Sequence, residues 1–444
     1  MKHTARLLRP FAAISLAAVL LCAPGCQLTW PEGPGTETTS PPAPSTTTPD
    51  DTYTDEYGSA WCYQRLDYRL QSDYRALYQA VRESDGRDET VVISDSETGE
   101  EHSYTGLKID LPQPIHTREE AQELFNAFTR DNPQFFFIAN LYSYEGYRSG
   151  GTDYYNTFCL VYSMNAAERA AATEKLETLL SQWDAEYRDK GLSAGDFETE
   201  LFYHDKLMQA CTYAEEAAAL DNPVSRYPNA FTAYGALVEG RAVCEGYARA
   251  MQLLLHRVDI PCTLVTGFDD KNASHMWNMV TVSGRNYHLD PTWNDSGRQP
   301  SHVYFNLTTE EILRTHTLDQ DNRGIDTCTA TQENFYQRTG AYISRFSVDQ
   351  MAEIAASQLR SGAATVEFRF SDDCYRTGQT YVGSHDLLTF RVNQRLDGDG
   401  SWDYADYSTN DDYNTIVIYG GSPPLLKKAE FLFRHCFCRW RGVY

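Results

Sequence analysis

The chain has 444 residues, 41% of them hydrophobic, which is enough for two or three buried cores rather than one. A formal net charge of −24 argues against a nucleic-acid binder, for which a basic face is expected, and suits solubility outside the cell and basic or cationic substrates. Eleven cysteines without tight repeated spacing spell neither a zinc signature nor a readable disulfide framework, so no metal and no cofactor is expected.

Lys2, Arg6 and Arg9 precede an apolar run from Phe11 to Leu21. That run is short for a bilayer span and has the form of a signal peptide. Ala23-Pro24-Gly25-Cys26 resembles a bacterial lipobox, although Ala23 and Pro24 depart from its usual residues. Residues 1–26 are therefore expected to be a signal peptide, with lipidation at Cys26; an ordinary cleaved secretory peptide is the alternative. Either way the protein is exported, to be secreted or held at the outer face of the membrane by its N-terminal lipid. Residues 27–57 are dominated by Thr, Pro, Ser and Gly without a hydrophobic period, and read as a disordered tether.

Residues 58–198 read as a helix-rich N-terminal domain with a structural or substrate-positioning role. Arg65 to Glu83 and Thr117 to Asn132 have helical spacing, with Thr117 as N-cap of the second and Glu119 and Glu120 in its first turn. Gln134 to Ile138 forms an apolar knot, Leu160-Val161-Tyr162 suggests a strand, and Ala166 to Tyr187 a long helix.

Residues 199–329 hold three short phrases that suit chemistry: Gly240-Arg241-Ala242-Val243-Cys244-Glu245-Gly246-Tyr247-Ala248, His275-Met276-Trp277-Asn278 and Asp290-Pro291-Thr292-Trp293. A thiol nucleophile needs a base within hydrogen-bond reach, and the base needs a third group to orient it. Apolar residues at 248, 251, 254, 255 and 258, followed by Pro261, predict a buried helix with Cys244 in its first turn. There the helix dipole favours a thiolate, and free N–H groups suit an oxyanion. Met276 to Val282, the loop Ser283-Gly284 and Arg285 to Thr292 predict a hairpin. Its register pairs Trp277 with Asp290 and His275 with Thr292, placing His275 and Asp290 on one face a diagonal step apart.

The bland readings of neighbouring residues are set beside these. Alone, Cys244 would be a small buried hydrophobe. His288 shares a strand face with Asp290, but its surroundings lack the pattern around His275. His204, His256 and His302 read as surface or helix residues, Cys262 as a structural thiol, and Trp277 and Trp293 as core aromatics.

Residues 330–444 read as a C-terminal α+β extension. Thr365 to Phe370, Leu387 to Leu396 and Thr415 to Tyr419 alternate as strands, with a helix from Met351 to Leu359. Asp397 to Asp403 reads as an acidic turn, since its spacing differs from a calcium loop. The segment from Lys427 to Tyr444 is basic and aromatic and has no physical account.

The three phrases resemble the transglutaminase-like superfamily, whose signature is Cys in C-x-G-Y-A, His in H-x-W-N and Asp in D-P-T-W. The resemblance covers about residues 200–315, including Tyr203-His204-Asp205-Lys206-Leu207 and Tyr304-Phe305-Asn306-Leu307. Met276 and Ala214 depart from common family residues without touching the triad. The resemblance implies an α+β, papain-like core in which the Cys-bearing helix packs on an antiparallel sheet. It also implies Cys244, His275 and Asp290 as catalytic residues, with a Cys244 thioester formed on an amide or peptide carbonyl. Peptidases, deamidases and cross-linking transglutaminases all use such a thioester, and the substrate is a protein or peptide, cell-wall peptide included. The competing reading is a non-catalytic cell-surface binding module on the same fold, against which the intact Cys, His and Asp argue.

Overall fold

In the computed structural model the described residues are Ala13–Ile14 and 59–420, without 85, 95–100, 192–194, 221–225, 296–299, 320–321, 323–324 and 397–401. The expected signal peptide, Cys26, the tether, the basic C-terminal segment and most of the acidic turn lie outside them, Ala13 and Ile14 apart. Among the described residues no helix is long and apolar enough to cross a membrane. The fold mixes helix and sheet, as the α+β expectation has it.

The chain divides into two compact units: Met1–Thr292 with His316–Thr327, and Trp293–Thr315 with Cys328–Tyr444. This division falls elsewhere than the boundaries expected at 198/199 and 329/330. The N-terminal region is tied to the core by charge and hydrogen bonding. Arg257 reaches Asp184 and Glu177 on the helix Ala166–Asp189, both at 2.9 Å, and Arg249 donates to the Thr129 carbonyl at 2.6 Å. Trp293–Thr315 instead joins the second unit, where His302 meets Glu367 at 2.7 Å and Glu311 accepts from Arg369.

In the first unit the three expected helices appear as Tyr68–Glu83, Arg118–Asp131 and Ala166–Asp189. Each starts at a side-chain cap that satisfies otherwise orphaned N–H groups: Asp67, Thr117 and an Asn165/Glu168 capping box. The region adds an antiparallel sheet that was expected only at Leu160–Tyr162. Its strands run in the order Ile138–Ser149, Thr152–Tyr162, Glu101–Ile115 and Glu89–Ser94, with Ala13–Ile14 on the outer edge of the first. Tyr142, Tyr144, Phe158 and Leu160 face the helices Tyr68–Glu83 and Arg118–Asp131, while Val91, Ile93, Cys159 and Val161 share a second, smaller cluster. Tyrosines supply much of the apolar surface of Ile138–Ser149 and Thr152–Tyr162, whereas Leu107, Ile109 and Leu111 alternate with Lys108 and Asp110 on Glu101–Ile115, a strand signal the sequence reading passed over.

The core of this unit sets the helix Cys244–His256 against a sheet ordered Arg285–Leu289, Ser274–Val282, Cys262–Phe268 and Thr317–Leu318. The hairpin register is the expected one, with Arg285 opposite Val282 and Leu289 opposite Asn278. Ser283 and Gly284 both take positive φ, 51° and 71°, as a two-residue hairpin loop of this hand requires. The ladder stops at Leu289, and a short helix, Pro291–Asn294, replaces the expected end of the strand.

In the second unit the strands Tyr342–Ile343, Thr365–Phe370, Thr415–Gly420 and Tyr404–Asn410 lie side by side in that order, with the helices Val348–Arg360, Asp372–Gly383 and His385–Arg395. Leu387 to Leu396, expected as a strand, lies mostly in the last helix. Leu388, Val392 and Leu396 are buried at intervals of four, whereas Leu387 and Phe390 are exposed. The local alternation was therefore incidental, and the helical face decided the element.

Candidate active site

The nucleophile phrase folds as a sharp approach to a helix. Gly240 adopts φ 69°, and a Cβ there would lie 2.8 Å from the Ala210 carbonyl oxygen. Val243 is extended, no side chain caps the helix start, and Cys244 is its first residue. Gly246 is required by proximity, since a Cβ would lie 2.6 Å from the Ala230 oxygen and 2.7 Å from the Ala242 Cβ. Glycine thus lets the first turn press on the segment before it, with the thiol at the uncapped, positive end of the dipole.

His275 comes from the strand Ser274–Val282, opposite Gly267. On the same strand Asn278 donates from Nδ2 to the Ala248 carbonyl oxygen at 3.0 Å, tying the strand to the nucleophile helix. This bond gives the closing Asn of the histidine phrase a structural purpose. Asp290 follows directly on the end of the hairpin ladder. Its Oδ2 lies 2.8 Å from His275 Nε2, and its Oδ1 accepts from the Thr292 N–H at 2.9 Å. His275 also has a side-chain hydrogen bond with Cys244. The structure thus brings Cys244, His275 and Asp290 into one chain of contacts. They are 8%, 5% and 0% exposed, so what little solvent access the group has lies at the thiol and imidazole, with the carboxylate sealed.

The charges follow from this packing. Burial pulls the His275 imidazolium down, but the Asp290 charge and hydrogen bond, with the Cys244 thiol, outweigh it and raise its pKa to about 10. Burial would raise Asp290; the His275 charge and the hydrogen bonds from His275 and His316 hold it well below the usual carboxylate range instead. The stable form is an imidazolium locked to a carboxylate.

His316 was missed by the sequence reading. Its Nε2 lies 3.0 Å from the same Asp290 Oδ2, and its ring is fully buried, edge-on to Trp277 at 5.0 Å between centroids. It stands 26 residues beyond Asp290 and shares no phrase with it, so no spacing rule could find it. His288 is not the base: its Nδ1 accepts from the Trp277 indole at 3.1 Å, and burial, then the His316 charge, lower its pKa to about 4. His204 and His256 lie in helices, as one of the two readings had it, but both are buried rather than on the surface. His302 is on neither: it is buried in the second unit, hydrogen-bonded to Glu367. Cys262 opens a buried strand, and burial, with the Glu200 charge, pushes its thiol well above the ordinary value, in keeping with a structural thiol. Trp277 is fully buried beside His275, whereas Trp293 is half-buried in the second unit. Tyr203–Leu207 lies in the helix Asp196–Ala210; Tyr304–Leu307 is a buried turn of the second unit.

Donor atoms of His275, Asp290 and His316 lie close enough together to meet one metal ion. Their 2.8 and 3.0 Å separations are those of hydrogen bonds between the groups themselves. Such contacts describe a carboxylate shared by two imidazoles rather than ligands spread about a centre.

Residues 194–291 match the family model of the transglutaminase-like superfamily. This segment is a transglutaminase-like domain. It contains all three motif residues, while His316 lies beyond its end. No curated protein matches the chain. Solved structures with some likeness to it include a TGase, at 14% identity over 44% of this chain and 53% of that one, with a TM-score of 0.25. A candidate cysteine protease from Cytophaga hutchinsonii is 14% identical over 32% of this chain and 52% of its own, with a TM-score of 0.20. A candidate protease from Parabacteroides distasonis is 13% identical over 46% and 35%, also with a TM-score of 0.20. The chain spans about half the length of the first two.

Proposed function

We propose that the protein is a cysteine acyl-transfer enzyme that forms a Cys244 thioester on amide or peptide carbonyls. The observation that carries this reading is the continuous hydrogen-bonded series from Cys244 through His275 to Asp290 at an uncapped helix start. His275 takes the proton of the Cys244 thiol, in advance or as the reaction starts, and Asp290 holds the resulting imidazolium. The Cys244 sulfur attacks the carbonyl carbon, and the helix N-terminus receives the tetrahedral oxyanion. As the C–N bond breaks, the imidazolium protonates the departing nitrogen and a thioester remains. Neutral His275 then takes a proton from water, giving hydrolysis, or from a primary amine, giving cross-linking. The hydroxide or amine adds to the thioester and the thiolate leaves.

The substrate we propose is a protein or peptide, including cell-wall peptide, and the site of action lies outside the cell. The basic start, apolar run and Cys26 support export with a lipid anchor, and the acidic balance speaks against nucleic acid. Replacing Cys26 with Ala should release the protein from the membrane fraction, and retention there would remove the anchor from the proposal.

The acyl-transfer reading is tested by intact-mass analysis after brief iodoacetamide treatment at pH 6, beside a His275→Ala variant. Rapid single labelling at Cys244 that the variant loses is expected of an activated pair. Equally slow labelling of both would favour a binding module with an idle thiol.

A further inference from the structure

His316 is the buried group in the site that the thiol, base and carboxylate scheme leaves unused. Asp290 accepts from the Thr292 N–H on Oδ1 at 2.9 Å, and its Oδ2 meets the Nε2 atoms of His275 at 2.8 Å and of His316 at 3.0 Å. The carboxylate torsion of an Asp is soft, so each directional donor narrows its rocking about the Cβ–Cγ bond. His316 reaches Oδ2 from a separate segment of the chain and so restricts that rocking.

The surrounding fold holds His316 for this contact. It directly precedes the edge strand Thr317–Leu318, which pairs with Phe268 and Gly267. A Cβ at Gly267 would lie 2.0 Å from the Thr317 oxygen and 2.8 Å from the Trp277 ring. Glycine at 267 is thus what admits the edge strand and lets the His316 ring settle 5.0 Å from Trp277 and 5.2 Å from His275. A fully buried imidazole is costly in a place that serves packing alone.

We infer that His316 is a positioning residue: by donating Nε2–H to the Asp290 oxygen that also holds His275, it fixes the carboxylate and keeps the imidazole aligned on the Cys244 thiol. The inference rests on the acyl-transfer reading above and adds a fourth side chain to it. Among the described residues, titratable groups around His275 include Cys244, Asp290 and His316, with His288 behind Trp277.

The test follows iodoacetamide labelling of Cys244 in the full chain from pH 4 to 9, read by peptide mass spectrometry. It compares the wild type with His316→Leu and with His316→Gln, whose amide N–H reaches about as far as Nε2–H. Thermal unfolding confirms that each variant is folded. His316→Leu should label about tenfold more slowly at pH 6, with its half-maximal pH about one unit higher, because a loosened carboxylate stabilises the imidazolium less. His316→Gln should recover most of the rate. If His316→Leu does not fold, His316→Asn, polar but too short to reach Asp290, takes its place. A folded Leu or Asn variant with an unchanged half-maximal pH would show His316 to be structural only and overturn the inference. A downward shift would overturn it too, showing that His316 competes with His275 for the carboxylate's charge. These results differ from failure of the acyl-transfer reading itself, in which the wild type does not label rapidly at pH 6.

Discussion

Two fully buried aspartates of the same unit behave in opposite ways. Asp131, at the end of the helix Arg118–Asp131, accepts from the Ser59 hydroxyl at 2.7 Å and from the Cys62 and Tyr63 N–H groups at 3.0 and 2.8 Å. All are neutral donors; burial outweighs them and raises its pKa to about 6. Asp290 is as deeply buried, yet the two imidazoles on Oδ2 drive it far the other way. Hydrogen bonds satisfy a buried carboxylate, but a cation is what keeps it charged. Asp131 is therefore a tie that fastens the chain entry at Ser59 to Tyr63 onto a helix end, and Asp290 an electrostatic device.

The sharpest way to break this comparison is to make both sites neutral. Asp290→Asn should lower Cys244 labelling at pH 6 by about 100-fold or more, since the amide cannot hold an imidazolium. Asp131→Asn should leave labelling unchanged and lower stability by about 1–3 kcal/mol. Equal effects on labelling would erase the distinction.

The pH dependence of stability should separate the two regions next. The folded pKa of Asp131, about 6, lies above its unfolded value of about 3.9. Its contribution is therefore complete below about pH 4 and lost as pH rises through 6, on the order of 2–3 kcal/mol. Asp73, also raised to about 6, adds to the same slope. His275, raised to about 10 from about 6.5, contributes fully below about pH 6.5 and loses that contribution as pH rises through 10. Asp290 is lowered, so its contribution is present above about pH 4 and is lost only as the pH falls well below that. In urea unfolding across pH 4–10, Asp131→Asn should flatten the slope between 4 and 6, and Asp290→Asn the slope toward 10. The reverse assignment would refute both.

Smaller changes probe how the Asp290 region is assembled while sparing Asp131. Gly246→Ala forces a methyl against the Ala230 oxygen and should cost about 1–3 kcal/mol, read as a lower Tm with weaker labelling. Asn278→Ala removes the link to the Ala248 oxygen and should cost about 1 kcal/mol, with a few-fold loss of labelling as the imidazole strand slackens. If Asn278→Ala left labelling untouched, that hydrogen bond would serve packing alone.

The sequence by itself determined whatever is local. Hydrophobic period and side-chain caps set the helices at 68–83, 118–131 and 166–189, hydrophobic period without a cap set that at 244–256, and Ser283-Gly284 fixed the register that brings His275 beside Asp290, because side-chain period and turn chemistry act over a few residues. The helical period of 58–198 was read correctly, while most of its sheet was not: Ile138–Ser149 and Thr152–Tyr162 bury tyrosines as well as aliphatics, and the alternation of Leu107, Ile109 and Leu111 was passed over. Leu387 to Leu396 alternated like a strand, yet burial of Leu388, Val392 and Leu396 made most of it a helix. Only the tertiary structure decided that Trp293–Thr315 leaves the core for the second unit, and that His316 returns to share Asp290. That return depends on Thr317 pairing with Phe268 across 49 residues and on the absent side chain of Gly267. A contact made at that separation leaves no period and no motif in the chain, because its free energy comes from surfaces that exist only once both strands are in place.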